Sequence, residues 1–398
     1  MRYKERVALL AAVALVFAGC MSADEEVSIP PLSAAEGHAD PGLGPGTHPL
    51  SSGPGYKGSP SWSPQEDRIA YTVDGYVVDK PLDAGATRRW VNGDFVAEDV
   101  EWTSEDSLAI FGSSVSEPVA GTDEGSLYGA RSQEGSLDEE EVARKVLVMS
   151  PGHEGEGLIV AQETGPRESE LALMQSNGTM QRTDAKSIEG RVTGISLSPD
   201  GRRAALAVRA PGDRGPSELH VLDLREGSHR RITRLRQDLE ILGAPQWTTR
   251  GICYVAGKGE IPGGGSSTPL YDLYLLPPGS DTPEHTPGMG EDFIASGIRV
   301  SPDGGRLAVI GRLNPNSPIN LYVLDLEEED LEALTSNEDM EIKTGPDDLA
   351  WSPDGESVAI IARGALSEEP RVRAAPADTL LEDFYNVYEI PVEQRATP

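Results

Sequence analysis

Through most of this chain apolar residues fall in short alternating runs, broken by Pro, Asp, Gly and Ser. That is the pattern of half-buried β-strands joined by tight turns. One stretch shows it in full. Ile298-Arg299-Val300 leads into the turn Ser301-Pro302-Asp303-Gly304, then Arg306 to Ile310, a looser segment, Asn320 to Leu326, an acidic turn, and Leu331 to Thr335. Pro sets φ near −65° at the second turn position, and Asp and Gly tolerate the reversal that follows. The same order recurs down the chain, anchored on Trp62, Trp102, Met149, Leu197, Trp247, Val300 and Trp351, at a mean spacing of about 48 residues. Four of the five tryptophans occupy this one position, which marks it as a packing anchor rather than a chance composition. A period of that length in β-type sequence predicts radial repeats, each a four-stranded antiparallel blade.

The turns of the type Ser-Pro-Asp-Gly, joined to strands such as Tyr322 to Leu326, resemble the TolB-like (WD40-like) β-propeller repeat family. The resemblance runs from residue 59 to about 392 and is sharpest in the repeats anchored on Leu197, Val300 and Trp351. It implies an all-β fold, a single propeller of seven blades, with six as the alternative because the Met149 repeat departs from the pattern. The last repeat lacks a fourth strand after Val392, so an N-terminal segment, Glu26 to Ile29, is expected to complete it. Asp138 to Lys145 is the one stretch with a helical character.

The N-terminus divides the chain further. Residues 1–19 read as a lipoprotein signal peptide, with a basic start and an apolar run from Val7 to Gly19, too short for a membrane-spanning helix. The run ends Phe17-Ala18-Gly19-Cys20, which resembles a lipobox and makes Cys20 the expected lipidation site. Residues 20–58 are rich in Gly, Pro and Ser and read as a tether; residues 59–398 are the expected propeller. With Cys20 lipidated, Cys253 has no disulfide partner and reads as a small buried hydrophobe.

Charge narrows the partners. Sixty-six acidic residues against 34 basic ones leave a net charge of −32, which excludes a nucleic-acid binder working through a basic surface. Motifs for nucleophilic, zinc or phosphate chemistry are missing, and the six histidines are scattered, so no catalytic residue, metal or cofactor is expected. Aligning the repeats places Arg209, Arg312 and Arg363 twelve residues after their anchors, with Lys258 at eleven in the Trp247 repeat. Each should end a second strand, on the face opposite the Ser-Pro-Asp-Gly turns. An arc of cations there would take an anionic ligand, because guanidinium groups pair bidentately with carboxylates. Structural ion pairs with neighbouring acids are the alternative.

The expectation is thus an extracytoplasmic, lipid-anchored monomer at the cell envelope. It would be a non-catalytic scaffold for an envelope protein or an acidic glycan or peptide. A hydrolase or lyase with its site in the propeller funnel is the alternative. Perturbed carboxylates converging with a histidine on the axis would favour the enzyme, and an occupied channel would favour the scaffold.

Overall fold

The computed structural model describes residues 47–51, 55–83, 87–90, 94–114, 125–133, 136–152, 157–165, 167–183, 187–210, 217–232, 240–260, 269–336, 341–363 and 385–392. Among them the chain is all-β and contains no helix. After the short β1 (His48–Pro49) comes a four-stranded antiparallel sheet of β2 (Lys57–Trp62), β3 (Arg68–Val73), β4 (Tyr76–Pro81) and β5 (Arg88–Trp90). The next is eight-stranded. It contains β6 (Phe95–Ser104), β7 (Ser107–Ser114), β8 (Gly125–Gln133) and the long β9 (Ser136–Pro151). It continues through β10 (Leu158–Gly165), β11 (Glu168–Met174) and β12 (Met180–Arg182), with β13 (Ile188–Glu189) also paired to β11.

Two more four-stranded sheets follow: β14 (Arg191–Leu197), β15 (Arg203–Arg209), β16 (Ser217–Asp223) and β17 (His229–Arg231), then β18 (Ile241–Thr248), β19 (Gly251–Glu260), β20 (Pro269–Leu276) and β21 (Glu284–His285). A third has β22 (Ile294–Val300), β23 (Arg306–Arg312), β24 (Asn320–Asp325) and β25 (Asp330–Ala333). The closing sheet has β26 (Glu341–Ile342), β27 (Leu349–Trp351), β28 (Ser357–Arg363) and β29 (Asn386–Pro391), with β1 on its outer edge.

The inner strands β2, β6, β9, β14, β18, β22 and β27 touch in that order, and β27 returns to β2. A ring of radial antiparallel sheets around an axis is a β-propeller. The apolar core sits between the sheets rather than inside any one of them. Trp351, Ile360 and Tyr388 pack against Ile310 and Leu321 of the preceding sheet. Ile361 and Val387, of the same closing sheet, pack against Trp62, Ile69 and Leu50. Each wholly buried aliphatic side chain of this kind contributes roughly 1.5–3 kcal/mol.

The turns show why the repeat needs its residues. Ser198, Ser301 and Ser352 donate through Oγ to Asp200, Asp303 and Asp354, and the same oxygens accept from the amides of Arg203, Arg306 and Ser357. Gly201, Gly304 and Gly355 close these turns at φ of 62°, 75° and 71°, where a side chain is strained. In the first repeat Glu66 holds that position at φ 60° without the freedom of glycine.

One expectation is corrected and one is narrowed. Asp138 to Lys145 is part of β9, where pairing with β8 overrides the helix propensity of its glutamates. An N-terminal strand does pair with the last sheet, and it is His48–Pro49, against Tyr388 and Glu389; Glu26 to Ile29 lies outside the described residues. The closing segment directly precedes β2, so a short connection suffices. Pairing therefore extends into the stretch whose composition reads as tether.

Candidate functional site at the propeller axis

Every inner strand carries a register shift. Against its neighbour, β6 slips at Glu98, β9 at Leu147, β14 at Thr193 and β22 at Ser296. The slips in β2 and β18 fall between Gly58 and Ser61 and between Leu242 and Gln246. Such bulges bend a strand and re-aim its side chains, and here they ring the axis. In the closing sheet the excursion is largest: Ile342 pairs with Ala362 and Leu349 with Ile360, so residues 343–348 loop out opposite Ile361 alone.

That loop crosses the ring. Lys343 Nζ donates to the Lys57 carbonyl of β2 (3.1 Å) and to Asp348 (2.8 Å), and it stands 4.4 Å from the centre of the Tyr56 ring. On the other side, the Asp347 carboxylate lies 3.7 Å from Arg299 of β22. Pro346 reaches Gly243 of β18, where an added Cβ would stand 2.5 Å from the proline ring. Gly243 is also at φ +69°, so both the close approach and the backbone require glycine.

Three carboxylates share this interior. Burial pushes Asp99 well above the usual carboxylate range, and the charges of Asp347 and Glu101 push it further, against a Ser59 hydrogen bond and Arg299. Glu101 is raised by burial, opposed by Arg299 and by the Ser61 hydroxyl that donates to it at 2.8 Å. Asp347 is raised by burial and opposed by Arg299, although 57% of its side chain remains open to solvent. Asp99 is therefore where protonation is most favoured. Such a group can hold or release a proton, the property a general acid or base needs. None of these residues is a histidine, and among the described residues no three His, Cys, Asp or Glu side chains converge as metal ligands.

The cations singled out from the sequence stand at the ends of second strands: Arg209 closes β15, Arg312 closes β23 and Arg363 closes β28. They belong to three sheets and have different neighbours. Arg209 pairs with Glu240 at 2.6 Å, and Arg363 with Glu341 at 2.5 Å. Arg312 donates from Nη1 to the Pro315 carbonyl, and its Nε has no hydrogen-bond partner among the described residues. Lys258 lies within β19, and its side chain is outside the described residues, as is Cys20.

Sequence reasoning missed what surrounds Arg363. Its guanidinium carbon is 5.6 Å from the Tyr385 ring centre, Tyr385 donates to Glu341 at 2.6 Å, and Tyr385 meets Tyr56 edge to face at 6.0 Å. Tyr56 is half exposed. Lys343 joins this cluster to the axial loop. Away from the axis, two more residues converge: His220 Nδ1 and His229 Nε2 are 2.7 Å apart, and Glu218 is 3.2 Å from the other nitrogen of His220. Their spacing of nine, across the hairpin of β16 and β17, was the available signal.

No family model matches the chain, and no curated protein matches it. Solved structures do. Hydrazine synthase of Kuenenia stuttgartiensis is similar at 16% identity and a TM-score of 0.54, over 81% of this chain and 96% of that one. Oligogalacturonate lyase of Vibrio parahaemolyticus is similar at 12% identity and a TM-score of 0.55, over 87% of this chain and 94% of that one. Putative TolB of Agrobacterium tumefaciens overlaps at 14% identity and a TM-score of 0.43, over 85% and 92% of the two chains. At these identities what the first two share with this chain is the fold.

Proposed function

We propose that the protein is an extracytoplasmic β-propeller, anchored to the membrane through a lipid on Cys20, that binds an envelope protein or an acidic glycan or peptide without chemistry of its own. The observation that carries this reading is the loop 343–348, which occupies the axis and leaves the surrounding face as the recognition surface. Tyr56, Tyr385 and Arg363 at the rim supply aromatic area and a cation, the residue types that anchor interfaces. Purification of the tagged protein from its own envelope is the test, with partners identified by mass spectrometry. A stoichiometric partner lost on charge reversal at Arg209, Arg312 and Arg363 supports the scaffold; a partner indifferent to those changes refutes the cationic face. Replacing Cys20 with Ser should release the protein from the membrane fraction, and retention would refute the anchor.

A second reading rests on Asp99, Glu101 and Asp347: a hydrolase or lyase working at the axis. It requires loop 343–348 to move aside. Turnover of an acidic polysaccharide by the native protein, abolished in Asp99→Asn, would replace the scaffold with this enzyme.

A further inference from the structure

The hairpin of β16 and β17 brings two histidines together away from the axis. Along β16, Glu218, His220 and Leu222 alternate onto one face, and Leu222 lies opposite His229 of β17. His229 is therefore the diagonal neighbour of His220, within reach of an aromatic ring. On that face Leu206 and Leu222 are buried against Ile159 and Leu171 of the preceding sheet. Because β17 is the outer strand, the pair stands at the outer end of this seam. His220 is only 5% exposed, whereas His229 is open to solvent.

The contacts decide which nitrogens can act as ligands. One Glu218 oxygen lies 3.2 Å from His220 Nε2, and Arg231 pairs with the other. An ionised carboxylate only accepts, so the proton of neutral His220 is assigned to Nε2 and its lone pair to Nδ1. That lone pair faces His229 Nε2 at 2.7 Å. Burial holds both imidazoles below their usual range, so both are neutral at pH 7. Two nitrogens 2.7 Å apart, each about 2.0–2.1 Å from one ion, subtend roughly 80–85° there. A tetrahedral site would need them about 3.3 Å apart. The narrower angle is that of neighbouring ligands in square-planar or tetragonal coordination, the geometry of Cu(II) and Ni(II).

We propose that His220 Nδ1 and His229 Nε2 form a binding site for a late divalent transition metal, Cu(II) ahead of Ni(II) and Zn(II). Glu218 is the outer carboxylate of the site: it takes the other ring proton of His220, fixing the ring and raising the basicity of Nδ1. Cu(II) stands highest in the affinity order of the divalent series, and the narrow angle adds to its advantage over zinc. Among the described residues no third His, Cys, Asp or Glu side chain completes the set, so water or a group on a bound partner fills the remaining positions. As the ion takes the lone pair of Nε2, His229 passes its proton through solvent from Nε2 to Nδ1, and both rings stay neutral. This site is independent of the scaffold reading.

The test is a calorimetric titration of the chelator-stripped protein with copper(II) chloride and, in parallel, zinc chloride, followed by electron paramagnetic resonance of the copper form. One equivalent of Cu(II) should bind at least tenfold more tightly than Zn(II), with a spectrum showing coordination by two imidazole nitrogens. His229→Gln changes an exposed edge position and should lose at least tenfold in affinity. His285→Gln, at the matching edge of the next sheet, should lose none. Glu218→Gln keeps both ligands and should weaken binding about tenfold, the scale on which such outer partners act. Full affinity in His229→Gln, an equal loss in His285→Gln, Zn(II) binding as tight as Cu(II), or a spectrum without imidazole nitrogen would each overturn the proposal and leave the pair a hydrogen bond alone.

Discussion

Leu50 is the most exacting place to test how the ring closes. It follows β1, is 7% exposed, and packs with Trp62, Ile69, Tyr71 and Val387 at the junction of the first and last sheets. Cutting a leucine in such a site to alanine costs about 2–5 kcal/mol, and about 3 is expected here. At about 2 °C per kcal/mol for a domain of this size, Leu50→Ala would melt about 6 °C below the parent if the segment stayed docked. Removing everything before Gly55 also loses hydrogen bonds, among them Leu50 amide to Val387, Val387 amide to Ser51 Oγ, and Lys80 to the Leu50 carbonyl. At about 1 kcal/mol each these add about 3 kcal/mol to the loss. Freeing residues 47–51 returns about 1 kcal/mol of backbone entropy per residue, roughly 5 in all. The deletion should therefore cost a net of about 1 kcal/mol, and because Leu50→Ala can also release the segment, its loss is capped near the same value, about 2 °C in melting temperature. A chain beginning at Thr47 should match the parent. Thermal melts by circular dichroism and urea titration of the three variants decide it. A neutral Leu50→Ala would refute the closure.

Three further outcomes follow from groups held away from their ordinary state. Burial and neighbouring charges raise the Asp99 carboxyl, so the folded protein holds a proton that the unfolded chain has already released, and stability falls as pH rises from about 4 through that raised value. Asp99→Asn should flatten that slope and raise the melting temperature at neutral pH; a melt series against pH that is unchanged by the substitution would count against the crowded axis. His220 and His229 are both lowered, first by burial, so their contribution is present above the unfolded value of about 6.5 and lost as pH falls below it; urea midpoints at pH 8 and 5.5 should differ less in His229→Gln than in the parent. Glu66→Gly relieves a strained φ of 60° and should stabilise by about 1 kcal/mol, read as a rise of about 2 °C.

The architecture was legible because it rests on local chemistry repeated at a period. Ser301-Pro302-Asp303-Gly304 encodes its own turn, and Trp351 marks its own packing position, so one repeat teaches the others. The axis was not legible for the opposite reason. Asp347 lies far in sequence from Asp99 and Glu101, and it is register shifts such as the one at Glu98 that turn the inner strands toward one another. Nothing in Lys343 to Asp348 announces that it crosses the ring, since a Gly-Pro-Asp-Asp stretch reads as an ordinary turn. The helical reading of Asp138 to Lys145 failed because long-range pairing decides a glutamate-rich strand. The arginines were found by alignment, but alignment could not say which acid each would face.

Strand β9 has a mechanical consequence. Its first part is the outer edge of one radial unit and its last part is the inner edge of the next, with Val146 paired to both β8 and β10. These two units share one unbroken strand, which no other neighbours in the ring do among the described residues. Breathing of the ring must therefore be taken up at the other junctions, and amides on both sides of Val146 should exchange with solvent as one cooperative block.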